Sequence, residues 1–311
     1  MRASLLIAAH NEGDALWKTI RACVETIYDV SYEIVVADDA SNDGSIENAV
    51  RRFPQIRVVS QPERLGASPT KHAAALEAEG DVLVFLDGHT NPEFGAIKRL
   101  IQGVEELNGQ AILTPAVPYL DTTNWLNSRA QVGHGYSFKL DTLSCNWLSL
   151  KELPVREMGR RQFRESPALI GCALAVSRVL YQQLHGFDPD MRFWGVEDID
   201  FGLKSLLMGF PILHDPQAII GHRFRQSFDN YSVPNEHVIA NQLRFARKHF
   251  TSAVWAQWVE ACRMRSNSAL TDHPEGLWAR AWQLFEERRE SVEQERHYLQ
   301  SRRVHDEFWY A

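Results

Sequence analysis

Runs of apolar residues along the chain alternate with segments whose apolar positions recur at three- and four-residue spacing, so the pattern predicts strands and helices in turn. Ser4–Ala9 reads as a buried strand. From Asp14 to Tyr28, Leu16, Ile20, Cys23, Val24 and Ile27 fall on one helical face. Tyr32–Ala37 predicts a second strand that runs into the polar loop Asp38-Asp39-Ala40-Ser41-Asn42-Asp43-Gly44, and Ser45–Phe53 a short helix. Ile56–Ser60 is a third strand, Ser68–Glu79 an alanine-rich helix and Val82–Leu86 a fourth strand. A helix over Pro92–Leu107 and a strand over Ala111–Val117 follow. Such alternation implies an α/β fold, a mostly parallel sheet flanked by helices, whose ligands gather at the carboxyl ends of the strands. Those ends carry His10-Asn11-Glu12, Asp38-Asp39 and Asp87-Gly88-His89, so polar groups from distant parts of the chain are expected on one rim.

The middle is less regular. Tyr119–Pro167 shows little periodicity and reads as an elaborated loop region, the kind of segment that carries specificity. Order resumes with a strand over Ala168–Val176, a short helix to Leu184, and a helix that opens at Trp194-Gly195-Val196-Glu197-Asp198-Ile199-Asp200 and stops at Gly209. The helix macrodipole by itself favours acids at such a start, and it accounts for Asp200 more readily than for Glu197, which follows the tight Trp194-Gly195 turn.

Val82–Leu86 delivers Asp87 and His89 directly from a buried strand, with Gly88 expected to allow a tight turn between them. Ile219–Arg225 supplies His222, again just after an apolar segment and a glycine. One carboxylate and two imidazoles suit a divalent metal of the Mn²⁺ type, with Mg²⁺ as the harder alternative. So few protein ligands leave positions open for substrate oxygens, and such a cation would clamp a diphosphate.

Composition narrows the class. With 311 residues and 44% hydrophobic content the chain can bury a large core. Its formal net charge of −7 argues against a general affinity for nucleic acid, and Arg156, Arg160, Arg161 and Arg164 read as a solvated or substrate-facing loop. Cys23, Cys145, Cys172 and Cys262 form no C-x-x-C pair, so reduced thiols and a cytoplasmic location are expected. The apolar run Leu5–Ala9 is cut off by His10-Asn11-Glu12, too early for a signal-peptide core, and no stretch of about 18 apolar residues predicts a membrane span.

Taken in order, His10-Asn11-Glu12, Asp38-Asp39-Ala40-Ser41, Asp87-Gly88-His89, Gly171-Cys172-Ala173-Leu174, Trp194-Gly195-Val196-Glu197-Asp198 and Ile220-Gly221-His222-Arg223-Phe224-Arg225 resemble the motif series of the GT-A glycosyltransferases, and within that fold the polypeptide N-acetylgalactosaminyltransferases. The resemblance covers residues 1–235 as a Rossmann-like catalytic domain. It implies that Asp87, His89 and His222 hold Mn²⁺ in an Asp-x-His motif. Asp39, with Arg64 nearby, would meet the uracil end of a UDP-sugar, and Ala8 and His10 would lie by the nucleotide. Gly171, Trp194 and Glu197 would line the sugar pocket and Arg225 would meet the diphosphate. The implied reaction moves GalNAc, GlcNAc or a hexose from the UDP-sugar to a peptide, protein or glycan acceptor with retention, without a separate protein base.

The sequence departs from that family at Ala8, where a hydroxyl residue is usual, at Cys172 in place of glycine, and at Asp198 in place of asparagine. Inverting GT-A enzymes of family 2 use a Glu-Asp pair here with the aspartate as general base, so inversion through Asp198 is the alternative, and a non-catalytic sugar-nucleotide-binding protein is the reading of another class. Family members continue into a lectin domain. Here residues 236–311 are expected to form a mostly helical extension whose Trp255, Trp258, Trp278, Trp282 and Trp309 pack it onto the catalytic domain or serve an acceptor or oligomer surface.

Overall fold

The computed structural model describes residues 2–158, 161–225, 232–268 and 274–305; Arg160 and Trp309 lie outside them. The chain opens with β1 (Arg2–Ala9), α1 (Asp14–Thr26), β2 (Ser31–Asp38), α2 (Ser45–Arg52), β3 (Arg57–Ser60), α3 (Ala67–Glu77) and β4 (Val82–Asp87). β5 (Thr90–Pro92), α4 (Ala96–Glu106), β6 (Ile112–Asp121) and β7 (Leu126–Gly133) come next, then β8 (Gly135–Phe138), β9 (Cys145–Leu148), β10 (Val155–Met158) and β11 (Arg161–Glu165). β12 (Ala173–Ser177), α5 (Arg178–Gln183), α6 (Glu197–Leu207) and β13 (Ile212–His222) complete the sheet region. Four helices follow: α7 (Asn235–His249), α8 (Ser252–Ser268), α9 (Pro274–Glu286) and α10 (Arg289–Arg302).

Among the described residues one sheet runs β10-β11-β13-β6-β12-β4-β1-β2-β3, with β5 added on β13 and β7 on β6. Strands β3, β2, β1 and β4 are parallel, as are β6 and β13, while β12 runs antiparallel between β4 and β6. Of the parallel strands, β1, β4, β6 and β13 are largely buried on both faces, while β3 is a half-exposed edge. One apolar layer joins Leu5, Ile7, Val84 and Leu86 to α1 and α4, and the other joins Leu6, Phe85, Leu174 and Phe201 to α3, α5 and α6.

The segment read as an elaborated loop is largely strand. β7, β9 and β10 have no buried residue, so no core-facing alternation marks them in the sequence. The helix expected from Pro92 starts at Ala96, because Thr90–Pro92 pairs with β13 and Gly95 takes φ 76°. The strand expected from Ala168 starts at Ala173.

The C-terminal helices pack against α6. Trp258, Phe245, Phe250, Phe285 and Leu243 join Ile199, Leu203 and Leu207 in a third apolar cluster, with Trp255, Trp278 and Trp282 at its margin. Beneath it lies a buried ionic cluster. Lys248 donates to Asp188 at 2.8 Å and to Asp200 at 2.7 Å, Arg244 donates to Asp188 at 2.9 Å, and His249 meets Asp200 at 2.8 Å. Burial opposes ionisation of both aspartates, but Lys248 and its neighbours outweigh it and hold both carboxyls below their ordinary range. Removing one member leaves uncompensated buried charge. Lys248→Met is therefore expected to destabilise the protein by about 3 to 5 kcal/mol, read as a lowered urea midpoint; an unchanged midpoint would refute the clamp.

Candidate functional site

β4 lies between β1 and β12, and the register Ala8↔Asp87 sets the Asp87 carboxylate at the edge where β1 ends. Lys71, on buried α3, reaches it at 3.0 Å and also donates to the Gly171 carbonyl at 2.9 Å. Burial works to raise Asp87, yet Lys71 and His222 hold it well below the usual carboxylate range. The antiparallel pair of β5 with β13 places His222 opposite Thr90 and so beside His89. The His89 and His222 Nε2 atoms are 3.1 Å apart, and His222 Nε2 is 3.3 Å from Asp87 Oδ2. One ligand atom from each of the three residues falls within 4.8 Å of the others. Gly88 has no left-handed conformation; a Cβ there would lie 3.0 Å from the Ala8 carbonyl and from Glu12 Cγ, so a side chain would press on both neighbours.

Glu12 is 7% exposed and anchors two of these groups. Its Oε2 accepts from Arg225 at 2.6 Å and from His89 Nδ1 at 3.0 Å. Glu12 thus holds the ring nitrogen opposite the one that faces His222, the carboxylate–histidine arrangement that orients metal ligands. Two Nε2 atoms 3.1 Å apart are joined either by a proton carried on one of them or by a cation between them. With the Asp87 oxygen alongside, the donor set fits a divalent cation. Burial raises Glu12, but His89 and Arg225 outweigh it and leave the carboxyl below its ordinary value. Burial lowers His222, which favours the neutral, metal-binding imidazole. His222 Nδ1 has no hydrogen-bond partner among the described residues, so the ring is steered by its edge contact with Phe224, centroids 4.7 Å apart.

A cavity of about 290 Å³ opens from this cluster. One end is formed by Ala8, His10, Asp39 and Arg64. Asp39 accepts from the backbone N–H groups of Leu65 (2.6 Å) and Gly66 (2.9 Å), so its carboxylate shapes the turn that carries Arg64. His10 Nδ1 donates to the Asp39 carbonyl at 2.7 Å. The other end is formed by Lys71, Trp194 and Glu197. The turn before α6 is strained: Phe193, Gly195 and Val196 have φ of 61°, 111° and 62°. Glu197 accepts from the Gly195 N–H at 3.0 Å. Beyond the histidines, a wall of aromatic rings runs from Phe224 through Trp147 to Tyr136, with centroid separations of 5.6 and 4.3 Å.

Of the expected site residues, Ala8, His10, Asp39, Arg64 and Asp87 face this cavity, as do His89, Trp194, Glu197, His222 and Arg225. Gly88, Gly171 and Asp198 stand behind it. Asp198 Oδ2 accepts from the Gly171 N–H at 3.3 Å and Oδ1 from the Ile199 N–H at 2.8 Å. Burial and the adjacent Glu197 carboxylate push Asp198 up to about 7. Lys71 and the anchoring role of Glu12 escaped the sequence reading. Glu12 closes a motif that was noticed, whereas Lys71 sits in an alanine-rich helix with nothing to mark it. A larger cavity of about 520 Å³ between α3, α5 and α10 is lined by Asp188, Lys204, Arg244 and Glu295, already paired with one another or with neighbouring groups, and holds none of the motif residues.

The family model described as glycosyl transferase family 2 matches residues 4–184, and the one described as N-terminal domain of galactosyltransferase matches residues 161–223. The chain is similar to polypeptide N-acetylgalactosaminyltransferase 3 of Taeniopygia guttata, 28% identical over 263 residues that cover 78% of this chain and 41% of that protein. It is also similar to polypeptide N-acetylgalactosaminyltransferase 6 of Homo sapiens, 26% identical over 300 residues that cover 89% and 47%. It therefore spans less than half the length of these relatives. Among solved structures it is similar to GalNAc-T7 with UDP, GalNAc and Mn²⁺, with TM-score 0.70, 19% identity, and 94% of this chain and 57% of that chain covered. It is likewise similar to S. aureus TarS 1-349 in complex with UDP-GlcNAc, with TM-score 0.59, 13% identity, and 97% and 88% covered. These likenesses show the GT-A fold, with a helical C-terminal region.

The raised Asp198 carboxyl has a measurable consequence. Between about pH 4 and pH 7 the unfolded chain has released this proton and the folded chain retains it, so this group lowers stability as pH rises through that window. Asp198→Asn removes the contribution. Its stability relative to the parent protein is expected to be more favourable at pH 8 than at pH 5 in urea unfolding, whatever the fixed cost of losing one acceptor; an equal difference at both pH values would refute the shift.

Proposed function

The chain belongs to glycosyl transferase family 2, and from that premise we propose that it moves a sugar from a UDP-sugar to a peptide, protein or glycan acceptor, with Mn²⁺ held by Asp87, His89 and His222 and with retention at the anomeric carbon. The observation that carries the reading is the gathering of those three ligands, Lys71, Glu12 and Arg225 on one cavity whose two ends differ in chemistry. When bound, the cation would neutralise charge that builds on the departing diphosphate. Arg225, a buried lining residue of the cavity paired with Glu12, adds a fixed positive charge toward the same oxygens. The turn shaped by Asp39 presents Arg64 to the nucleoside, while Glu197 accepts from a sugar hydroxyl beside Trp194. The acceptor would approach along the Tyr136–Trp147–Phe224 wall and give its proton to the leaving phosphate. The relatives are named as polypeptide N-acetylgalactosaminyltransferases, which supports N-acetylhexosamine as the sugar.

Retention is supported by the placement of Asp198 behind Gly171, with both oxygens accepting backbone N–H groups. The inverting reading has one observation in its favour, since a carboxyl at about 7 matches a general base at neutral pH. The proposal also places the protein in the cytoplasm, where its four free cysteines remain reduced. Among the described residues no helix is long and apolar enough to cross a membrane.

A screen of UDP-sugars for Mn²⁺-dependent hydrolysis, followed by acceptor trapping with the best donor, tests the reading. Asp87→Ala and His222→Ala are expected to abolish that turnover with an unchanged circular dichroism spectrum; activity retained in His222→Ala removes that residue from the site. Stereochemistry is read by NMR at the product's anomeric centre beside the rate of Asp198→Asn. The proposal expects an α-linkage and appreciable activity. A β-linkage together with a loss on the order of 10²- to 10⁴-fold would make Asp198 the base.

A further inference from the structure

Asn241 lies in α7, beyond the last of the sequence motifs at Arg225, and is 2% exposed. Its side-chain amide faces the turn before α6. The Arg192 N–H donates to Asn241 Oδ1 at 3.1 Å, and Asn241 Nδ2 donates to the Arg192 carbonyl at 2.8 Å and the Trp194 carbonyl at 3.1 Å. A backbone N–H must meet the amide oxygen, so the orientation of the amide is fixed by the turn itself. Left-handed φ values at Phe193 and at the β-branched Val196 persist only where surrounding contacts over-determine them.

The opposite side of the turn is bound too. Phe193 donates its N–H to the Leu65 carbonyl at 2.7 Å and accepts from the Ala67 N–H at 3.1 Å. Gly66 lies so close that a Cβ there would sit 2.2 Å from the Phe193 nitrogen. The turn is thus held between the Arg64 loop and α7. Asn241, Arg244 and Lys248 share one face of α7, and the last two are fixed by Asp188 and Asp200. The amide is presented from a rigid mount.

We propose that Asn241 is a positioning residue for the transfer reaction: it holds the Arg192–Val196 turn so that Trp194 and Glu197 face the donor sugar, making α7 part of the catalytic machinery. The proposal rests on the sugar-transfer reading for its kinetic part alone.

The test uses the full chain with Asn241→Ala and Asn241→Asp. Three measurements are made: amide hydrogen exchange over residues 192–197, UDP affinity by calorimetry, and kcat and KM for UDP-sugar hydrolysis. Asn241→Ala is expected to speed exchange at Arg192 and Gly195 by about ten-fold or more, the effect of losing buried hydrogen bonds, with β4 unchanged. kcat should fall about ten-fold or more while UDP binding stays within about three-fold. Asn241→Asp keeps the acceptor for the Arg192 N–H but loses both donors. It should protect Arg192 better than alanine does while still lowering kcat, and it serves as the test if the alanine variant fails to fold. Unchanged exchange in the turn, unchanged kcat in an active enzyme, or UDP affinity lost in step with kcat would each overturn the proposal. A parent protein that turns over no UDP-sugar would instead overturn the sugar-transfer reading, and exchange would still decide whether Asn241 holds the turn.

Discussion

A half-buried carboxylate at the end of a central strand calls for compensating charge, and at Asp87 this requirement organises the rim. Lys71 reaches in from α3 to one oxygen, His222 meets the other, and His89 stands against His222. A second carboxylate, Glu12, then balances Arg225 and fixes His89. Two acids and two permanent cations leave the cluster close to neutral. On the proposed reading a cation or a diphosphate entering alone would upset that balance in opposite directions, whereas the two together nearly preserve it. Electrostatics alone then favours their joint binding.

The two ends of the cavity are mechanically joined. Asp39 holds the Leu65–Gly66 turn, that turn is bonded to the Phe193 backbone, and Phe193 belongs to the turn that presents Trp194 and Glu197. Each link uses a backbone group with a fixed direction. The ionic cluster of α7 with Asp188 and Asp200 anchors the far side. It gains little over an apolar packing of equal volume, but it allows one registration of α7 against α6.

Much of this was legible in the sequence, for a physical reason. Parallel strands buried on both faces are long apolar runs, so their ends are sharp, and polar residues placed there are forced onto one edge. That is why Asp39, Asp87, His89 and His222 could be named before any coordinates. Lys71 could not: a buried lysine is recognised by its partner, and Asp87 is sixteen residues away on another element. Strands β7, β9 and β10 left no alternation because neither face is fully buried. Asn241 was hidden for the same reason as Lys71, since its partners are backbone atoms of a distant turn and carry no side-chain signature.

Asp198 shows how a shifted carboxyl can have a structural cause. Two backbone N–H groups, of Gly171 and Ile199, converge on this side chain from different elements, and a carboxylate offers each its own oxygen. Asparagine, with one acceptor oxygen, can satisfy one of them and would turn its NH₂ toward the other. Geometry alone therefore favours aspartate here, without any demand for proton transfer. The raised value then follows from the position: the carboxylate is largely withdrawn from water and stands beside Glu197, and the two N–H bonds only partly offset this. A base tuned for catalysis needs the same elevation but also an oxygen directed at the acceptor. Each Asp198 oxygen accepts a backbone N–H, and of the adjacent Glu197–Asp198 pair it is Glu197 that lines the cavity.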